Sequence, residues 1–398
     1  MGKRVALEAS IAAAEAVKMV DCDFVSAYPI TPQTHIPEMI SEMVANGELN
    51  AACLTVESEH SAMSSCLGAA ATGCRTFTAT AGQGLELMHE AVWIAASHRY
   101  PIVMTVCNRA MSAPLSVWGD HSDVMSVRDV GWIQIFTNNA QEVFDLTVWA
   151  FRCGEDPRVL LPVMVNLDGF TLSHVTEPLL LPDEKEVKEF LPPLQLPNAL
   201  HPDKPTTHGA FGLPNIYSEM RIAQEIHLRK SKEFIIETLN EFGDKFGRYY
   251  KPVETYKAEG KKTLLMTMGS FSETAKIIID ELEAAGESVG LVYPRLWRPF
   301  PFEELYAAVK DADNLIIFDR SISYGGQGGP LASEVKSALY GKEKAPKVAS
   351  IVGGLGGRDV SAEQFRQIIE RGKAIAENGS EELYETVGIR GTVSGIRG

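Results

Sequence analysis

Near-continuous apolar runs of strand length, each handed on to a stretch of helical period, recur along this 398-residue chain. LTVES (54–58) precedes the helical EHSAMSSCLGAAATG, and RTFTATA (75–81) precedes GLELMHEAVWIAASH. LEASIAAAEAVKMV (7–20) places Ala, Leu, Ile and Val at helical spacing ahead of FVSAYPI (24–30), PIVMTVC (101–107) runs into a longer polar loop, and WIQIFTN and VLLPVMVNLD close the series. Strands that are apolar on both faces need cover on both, so the expected class is α/β, a parallel sheet with helices on both faces. The alternation resumes with KTLLMTMGS, ETAKIIIDELEAAG, SVGLVYPRL, PFEELYAAV, NLIIFDRS and KVASIVGG, which predicts a second, smaller α/β domain. Between the two lie prolines 192, 193, 197, 202, 205 and 214 and a charged helical stretch, RIAQEIHLRKSKEFIIETLNEF. The expected division is 1–182, an inter-domain arm over 183–261, and 262–398 with a C-terminal tail.

A 45% hydrophobic composition supports a substantial core, while a formal charge of -15 argues against general nucleic-acid binding, which needs clustered Lys and Arg. No run approaches the roughly 20 apolar residues of a membrane span. The start MGKRVALEAS lacks a secretory pattern, so a cytoplasmic location and no membrane partner are expected. The six cysteines (22, 53, 66, 74, 107 and 153) form no CxxC pair and read as small core residues, with no metal site expected.

Ligands of open parallel sheets collect beyond the carboxyl ends of the strands, and four polar features fall there. YPITP (28–32) uses proline to fix the backbone beside Thr31; it is either a rigid turn or a ligand loop. VESEH (56–60) puts Glu57 and Glu59 where a strand hands over to a helix, a position that suits the helix dipole and also suits a proton partner for a heteroaromatic cofactor. Arg109 ends PIVMTVCNRA, where a guanidinium forms either a carboxylate clamp or a structural ion pair. WGDHSD (118–123) brings Asp120, His121 and Asp123 into one loop without a metal-ligand spacing. Two glycine-rich segments, SISYGGQGGP (321–330) and GGLGGRD (353–359), read either as phosphate-facing loops or as tight turns. Neither GxxxxGK[ST] nor GxSxG occurs, which removes the main support for P-loop and serine-hydrolase readings.

Taken in order, YPITP, VESEHSAM, TFTATAGQGLELMHE, NRAMSAPLSVWGDHSD, GWIQIF, LLPVMVNLDGFTLSH, RPFPFEEL, FDRSISYGGQGG and GGLGGRDV resemble the alpha subunits of the multi-subunit pyruvate:ferredoxin oxidoreductase (pyruvate synthase) family. The resemblance implies a thiamine-diphosphate-binding fold, with a pyrimidine-type domain followed by a transketolase C-terminal-like domain. It implies thiamine-dependent oxidative decarboxylation of a 2-oxoacid, with electrons passed to ferredoxin, the acyl group to coenzyme A, and a reverse direction that fixes CO2. The diphosphate, Mg2+ and a [4Fe-4S] cluster are then expected on a beta subunit, with gamma and delta subunits completing the complex. The chain has no Gly-Asp-Gly motif and no cluster-binding cysteine set, in keeping with that division.

Carried over by position, Glu59 is similar to the family's glutamate on the aminopyrimidine ring, where it favours the tautomer that takes the thiazolium proton; Glu57 competes for that role. Thr31, within the loop Tyr28, Pro29, Ile30 and Thr31, resembles the substrate-binding residue, Arg109 its carboxylate clamp, and Gln83 a residue of the pyrimidine pocket. His121 and Asp123 match the family loop without an implied role. A neutral residue at position 31 suits pyruvate better than a dicarboxylate such as 2-oxoglutarate or oxalate, whose second charge needs another cation. Branched-chain 2-oxoacids remain the alternative, a non-catalytic scaffold subunit a second, and a nucleotide-dependent dehydrogenase, resting on the glycine-rich loops, a third.

Overall fold

The computed structural model describes residues 2–380 and 382–390. A seven-stranded sheet runs in the order Leu296–Arg298, Ile133–Phe136, Val163–Asp168, Val103–Asn108, Thr76–Thr80, Phe24–Ala27, Ala52–Thr55. Every neighbouring pair is parallel except Leu296–Arg298 against Ile133–Phe136. The central strands are buried at every position, their polar residues such as Thr105 and Asn166 included, as a sheet covered on both faces requires.

Helix Ala140–Gly154 illustrates how the helical layers form. The Asn139 side chain accepts a hydrogen bond from the Glu142 N–H and so starts the helix. All but two of its fifteen residues, Gln141 and Arg152, are buried. It packs against the alanine-rich helix Ala9–Met19, whose small side chains allow close approach. Burying side chains such as Phe144 and Trp149 contributes about 1.5–3 kcal/mol each.

The second sheet runs Glu385–Thr386, Lys347–Val352, Asn314–Asp319, Thr263–Met266, Val289–Pro294, Val253–Tyr256, parallel except for the last strand. Three features depart from the sequence reading. Val253–Tyr256, expected in the arm, is an edge strand of this second sheet, and Leu296–Arg298, expected in the second domain, closes the edge of the first. Lys3–Glu8, expected to enter the first helix at Leu7, instead forms a two-stranded antiparallel sheet with Thr176–Leu181. The arm consists of helix Glu184–Phe190, an irregular stretch, and the 33-residue helix Pro214–Phe246, whose C-terminal half buries Ile235, Leu239 and Phe242 in the first core.

The two sheets are locked together by buried charge. Arg295 donates twice to Glu142, through Nη1 and through Nη2 at 3.0 Å to Oε1, and both residues are nearly inaccessible. No helix among the described residues is long and apolar enough to cross a membrane.

Candidate active site

In the first sheet the chain passes from Phe24–Ala27 outward to Ala52–Thr55 and then returns to the other side of its starting strand as Thr76–Thr80. This reversal opens a crevice at the carboxyl ends of Phe24–Ala27 and Thr76–Thr80, where ligands of such sheets bind. The sequence YPITPQ fills one lip. Buried Gln33 accepts from the Ile30 N–H at 3.2 Å and donates to the Ala79 carbonyl at 2.8 Å, so it staples the loop across the crevice. Tyr28, Pro29 and Thr31 are exposed and Ile30 is half-buried against the core.

The two competing glutamates separate cleanly. Ser58 caps the next helix by accepting from the Ser61 N–H, which makes Glu59 its first residue and turns that side chain inward to 5% exposure. Glu57 stays outside, where the Ser61 hydroxyl donates to it at 2.5 Å and holds it below the usual carboxylate range. Glu59 faces Gly84: a Cβ on Gly84 would stand 2.6 Å from Glu59 Oε1 and 2.6 Å from Thr80 Oγ1. Glycine at 84 thus lets the Glu59 carboxylate and the Thr80 hydroxyl lie directly on the backbone; both polar atoms of the adjoining Gln83 amide, like the Thr80 hydroxyl, are buried with no hydrogen-bond partner. Unpaired buried polar groups are costly, so their convergence marks a place shaped for something polar.

Arg109, 6% exposed, closes the far side. Its Nη1 donates to the Thr31 carbonyl and its Nε to the Ser116 carbonyl, each at 3.0 Å. Burial lowers its pKa, opposed by the charges of Asp123 and Glu59, so Glu59 lies within its electrostatic reach. Glu59, Gln83, Arg109 and the Tyr28–Thr31 loop therefore share one crevice. The donor and acceptor set of the crevice, one buried carboxylate and an amide without partners, fits the edge of an aminopyrimidine ring.

His121 and Asp123 sit behind this site. Asp123 is buried beneath Arg109, while His121 Nε2 meets Asp168 Oδ1 at 2.8 Å. Asp168 also faces Arg320 Nη1 at 2.6 Å and accepts from Ser270 N–H at 2.7 Å and Ser270 Oγ at 2.5 Å. Burial raises the Asp168 pKa, but Arg320, His121 and Ser270 outweigh it and hold the carboxyl well below the usual range. None of Asp168, Gly84 and Gln33 stood out in the sequence, although LLPVMVNLDGFTLSH and TFTATAGQGLELMHE carried the first two and Gln33 directly follows YPITP.

Two glycines of the glycine-rich segments, Gly329 and Gly357, stand at close approaches that a side chain would block. A Cβ on Gly357 would stand 2.4 Å from Trp118 Cβ, and the Gly356 N–H donates to Asp120 at 2.9 Å. Gly329 lies on Asp319, whose carboxylate already accepts the Leu331 and Ala332 N–H groups at the start of helix Pro330–Leu339. Cysteine placement is mixed: Cys22, Cys66, Cys107 and Cys153 are buried, but Cys53 is exposed on the edge strand and Cys74 half-exposed, against the expectation of core for all six. A cleft of about 810 Å³ beside the long helix, lined by Arg221, Arg298 and Phe300 among others, lies apart from this crevice. Several of its charges are already paired, as in Arg298–Glu334 and Lys232–Glu304.

The fold and crevice define a subunit of the thiamine-diphosphate-binding α/β class. Residues 15–239 match the family described as "Pyruvate flavodoxin/ferredoxin oxidoreductase, thiamine diP-bdg", and residues 261–365 match "Pyruvate:ferredoxin oxidoreductase core domain II". The chain belongs to the pyruvate:ferredoxin oxidoreductase family. It is 48% identical to pyruvate synthase subunit PorA of Methanocaldococcus jannaschii, over 90% of this chain and 92% of that one. It is 43% identical to the PorA of Pyrococcus furiosus over 97% and 98%, and 42% identical to ketoisovalerate oxidoreductase subunit VorA of Pyrococcus horikoshii over 92% and 93%. Among solved structures, a 2-oxoglutarate:ferredoxin oxidoreductase from Magnetococcus marinus superposes with a TM-score of 0.70 at 21% identity, over 94% of this chain and 65% of that longer one. A split-gene transketolase superposes at 0.56 with 12% identity, over 94% of this chain and all of that one. Both establish the fold.

Proposed function

We propose that this chain is the alpha subunit of a pyruvate:ferredoxin oxidoreductase, converting pyruvate and coenzyme A to acetyl-CoA and CO2 while two electrons pass to ferredoxin, and running in reverse as a pyruvate synthase. The observation that carries the reading is buried Glu59 packed directly on Gly84, next in the chain to the unpaired Gln83 amide and within electrostatic reach of Arg109. Kinship to named pyruvate synthase subunits over nearly the whole chain supports the substrate.

Thiamine diphosphate, when bound, supplies the nucleophilic carbon and the electron sink for decarboxylation. Glu59 then holds a proton at the pyrimidine ring nitrogen, and the Gln83 amide orients the ring. The Arg109 guanidinium pairs with the oxoacid carboxylate, and the Thr31 hydroxyl, exposed on its loop, donates to the substrate. Thr31 is neutral and Arg109 supplies one positive charge, which suits a monocarboxylate. The diphosphate, Mg2+ and [4Fe-4S] clusters are assigned to a beta subunit, with gamma and delta subunits completing a cytoplasmic complex.

The kinship to a ketoisovalerate oxidoreductase subunit keeps a branched-chain 2-oxoacid as the second reading. The test is ferredoxin or viologen reduction by the complex purified with its partner subunits, with coenzyme A and each of pyruvate, 2-oxoisovalerate, 2-oxoglutarate and oxalate. Pyruvate preference is expected. Preference for 2-oxoisovalerate transfers the assignment to the second reading, and no turnover of any oxoacid overturns both.

A further inference from the structure

Asp123 has no part in the functional reading, yet it is fully buried and lies directly behind the oxoacid clamp. Its carboxylate accepts four hydrogen bonds. Oδ2 takes the Arg109 N–H at 2.8 Å and the Gly82 N–H at 3.0 Å; Oδ1 takes the Val124 N–H at 2.7 Å and the Asn108 Nδ2 at 3.2 Å. Three of these donors lie outside the short helix Ser122–Ser126 that carries Asp123, so helix capping does not account for the arrangement.

Both partners of Oδ2 bear on one side chain. Arg109 is anchored by its own N–H, and Gly82, with φ +48°, forms the bed on which the Arg109 side chain lies: a Cβ there would be 3.0 Å from Arg109 Cδ and 3.3 Å from Nε. A single oxygen thus fixes the base of the arginine and the surface beneath it. The guanidinium is then carried to the Thr31 carbonyl at the lip of the crevice. Placing a carboxyl in this dry position is costly: burial pushes it up to about 7, even though the Arg109, Gly82 and Val124 N–H groups pull the other way. Asp120 adds to the upward push, Cys107 is the other titratable group beside it, and Arg109 is the nearby cation.

We propose that Asp123 is the positioning residue for oxoacid binding, setting the Arg109 guanidinium in its clamping place through Oδ2. This deepens the functional reading above and rests on it. An amide at position 123 keeps one acceptor oxygen and turns an N–H2 group toward N–H donors: in one orientation Arg109 and Gly82 lose their acceptor, and in the other the repulsion at Val124 and Asn108 displaces the oxygen that holds them.

The test is steady-state kinetics of the reconstituted complex carrying Asp123→Asn beside the wild type, with thiamine diphosphate affinity measured by calorimetry. Expected is a rise in pyruvate KM of about tenfold, with kcat and the thiamine diphosphate Kd each within about threefold, because the clamp moves and the pyrimidine pocket does not. If Asp123→Asn does not assemble, Asn108→Ala removes one of the four donors and is expected to raise pyruvate KM by about threefold with kcat unchanged. An unchanged KM in an assembled variant overturns the proposal. So does a loss of thiamine diphosphate affinity equal to the rise in KM, which marks a general structural role. A wild-type complex without pyruvate turnover overturns the functional reading itself, and this inference with it.

Discussion

The chain builds the same crevice twice and uses it in opposite ways. In the first sheet the reversal of strand order lies between Phe24–Ala27 and Thr76–Thr80; in the second it lies between Thr263–Met266 and Asn314–Asp319. At the first, the Gln83 amide and the Thr80 hydroxyl are buried without partners, and Glu59 lies directly on Gly84. At the second, Asp168 from the first sheet enters the crevice, accepts the Ser270 N–H ahead of helix Phe271–Ala284 and pairs with Arg320. Asp319 likewise occupies the start of helix Pro330–Leu339. The chain's own carboxylates thus stand where an anionic ligand would bind. Topology offers a site at each crevice; at the second the chain's own carboxylates, Asp168 and Asp319, take the N–H groups and Asp168 faces Arg320, which makes it a domain joint.

The sharpest way to break this contrast is to empty the joint. Asp168→Ala leaves Arg320 buried without its countercharge, and a loss of about 3–5 kcal/mol in chemical denaturation of the complex is expected. Pyruvate KM should stay within twofold; a selective KM effect would place Asp168 in the site instead of the joint. At the open crevice the expectations reverse. Arg109→Lys keeps a charge but loses the forked donor geometry, and should raise pyruvate KM roughly 30-fold, about 2 kcal/mol, with melting unchanged. Gly84→Ala pushes a methyl group against Glu59 and Thr80, and a loss of about tenfold in turnover is expected without loss of assembly.

The smallest effect concerns pH. Burial, against the Ala332 and Leu331 N–H groups, pushes Asp319 up to about 7, while an unfolded aspartate titrates near 4. Between those values the folded chain holds a proton that the unfolded chain has lost, so this contribution is full below about pH 4 and is lost as pH rises through about 7. The stability of wild type relative to Asp319→Asn should therefore fall by about 1 kcal/mol between pH 6 and pH 8, read from melting curves. A flat difference over that range would show that Asp319 is ionised in its place.

How much of this was legible in the sequence follows from what each pattern encodes. The α/β class was readable because strands such as Val103–Asn108 and Val163–Asp168 carry apolar residues on both faces and alternate with stretches of helical period, which a doubly covered sheet explains. Lys3–Glu8 was not, because KRVALE has no such run and pairs with a segment far along the chain that contains Pro178. Leu296–Arg298 reads as a continuation of the strand before it, and only its register with Gln134 and Ile135 assigns it to the first sheet. Glu57 and Glu59 share one side of an extended segment, so alternation does not separate them; the Ser58 cap does, by starting a helix between them. The glycine-rich loops were ambiguous for a physical reason, since an anion cradle and a close backbone approach both ask for positive φ and no Cβ.

The central claim is that Glu59, and not its neighbour two residues earlier, faces the chemistry. Pyruvate-dependent ferredoxin reduction by complexes carrying Glu59→Gln or Glu57→Gln, beside the wild type, tests it directly. The expected result is a loss of at least about 100-fold for Glu59→Gln and less than twofold for Glu57→Gln. Wild-type turnover by Glu59→Gln, or a comparable collapse of Glu57→Gln, would contradict it.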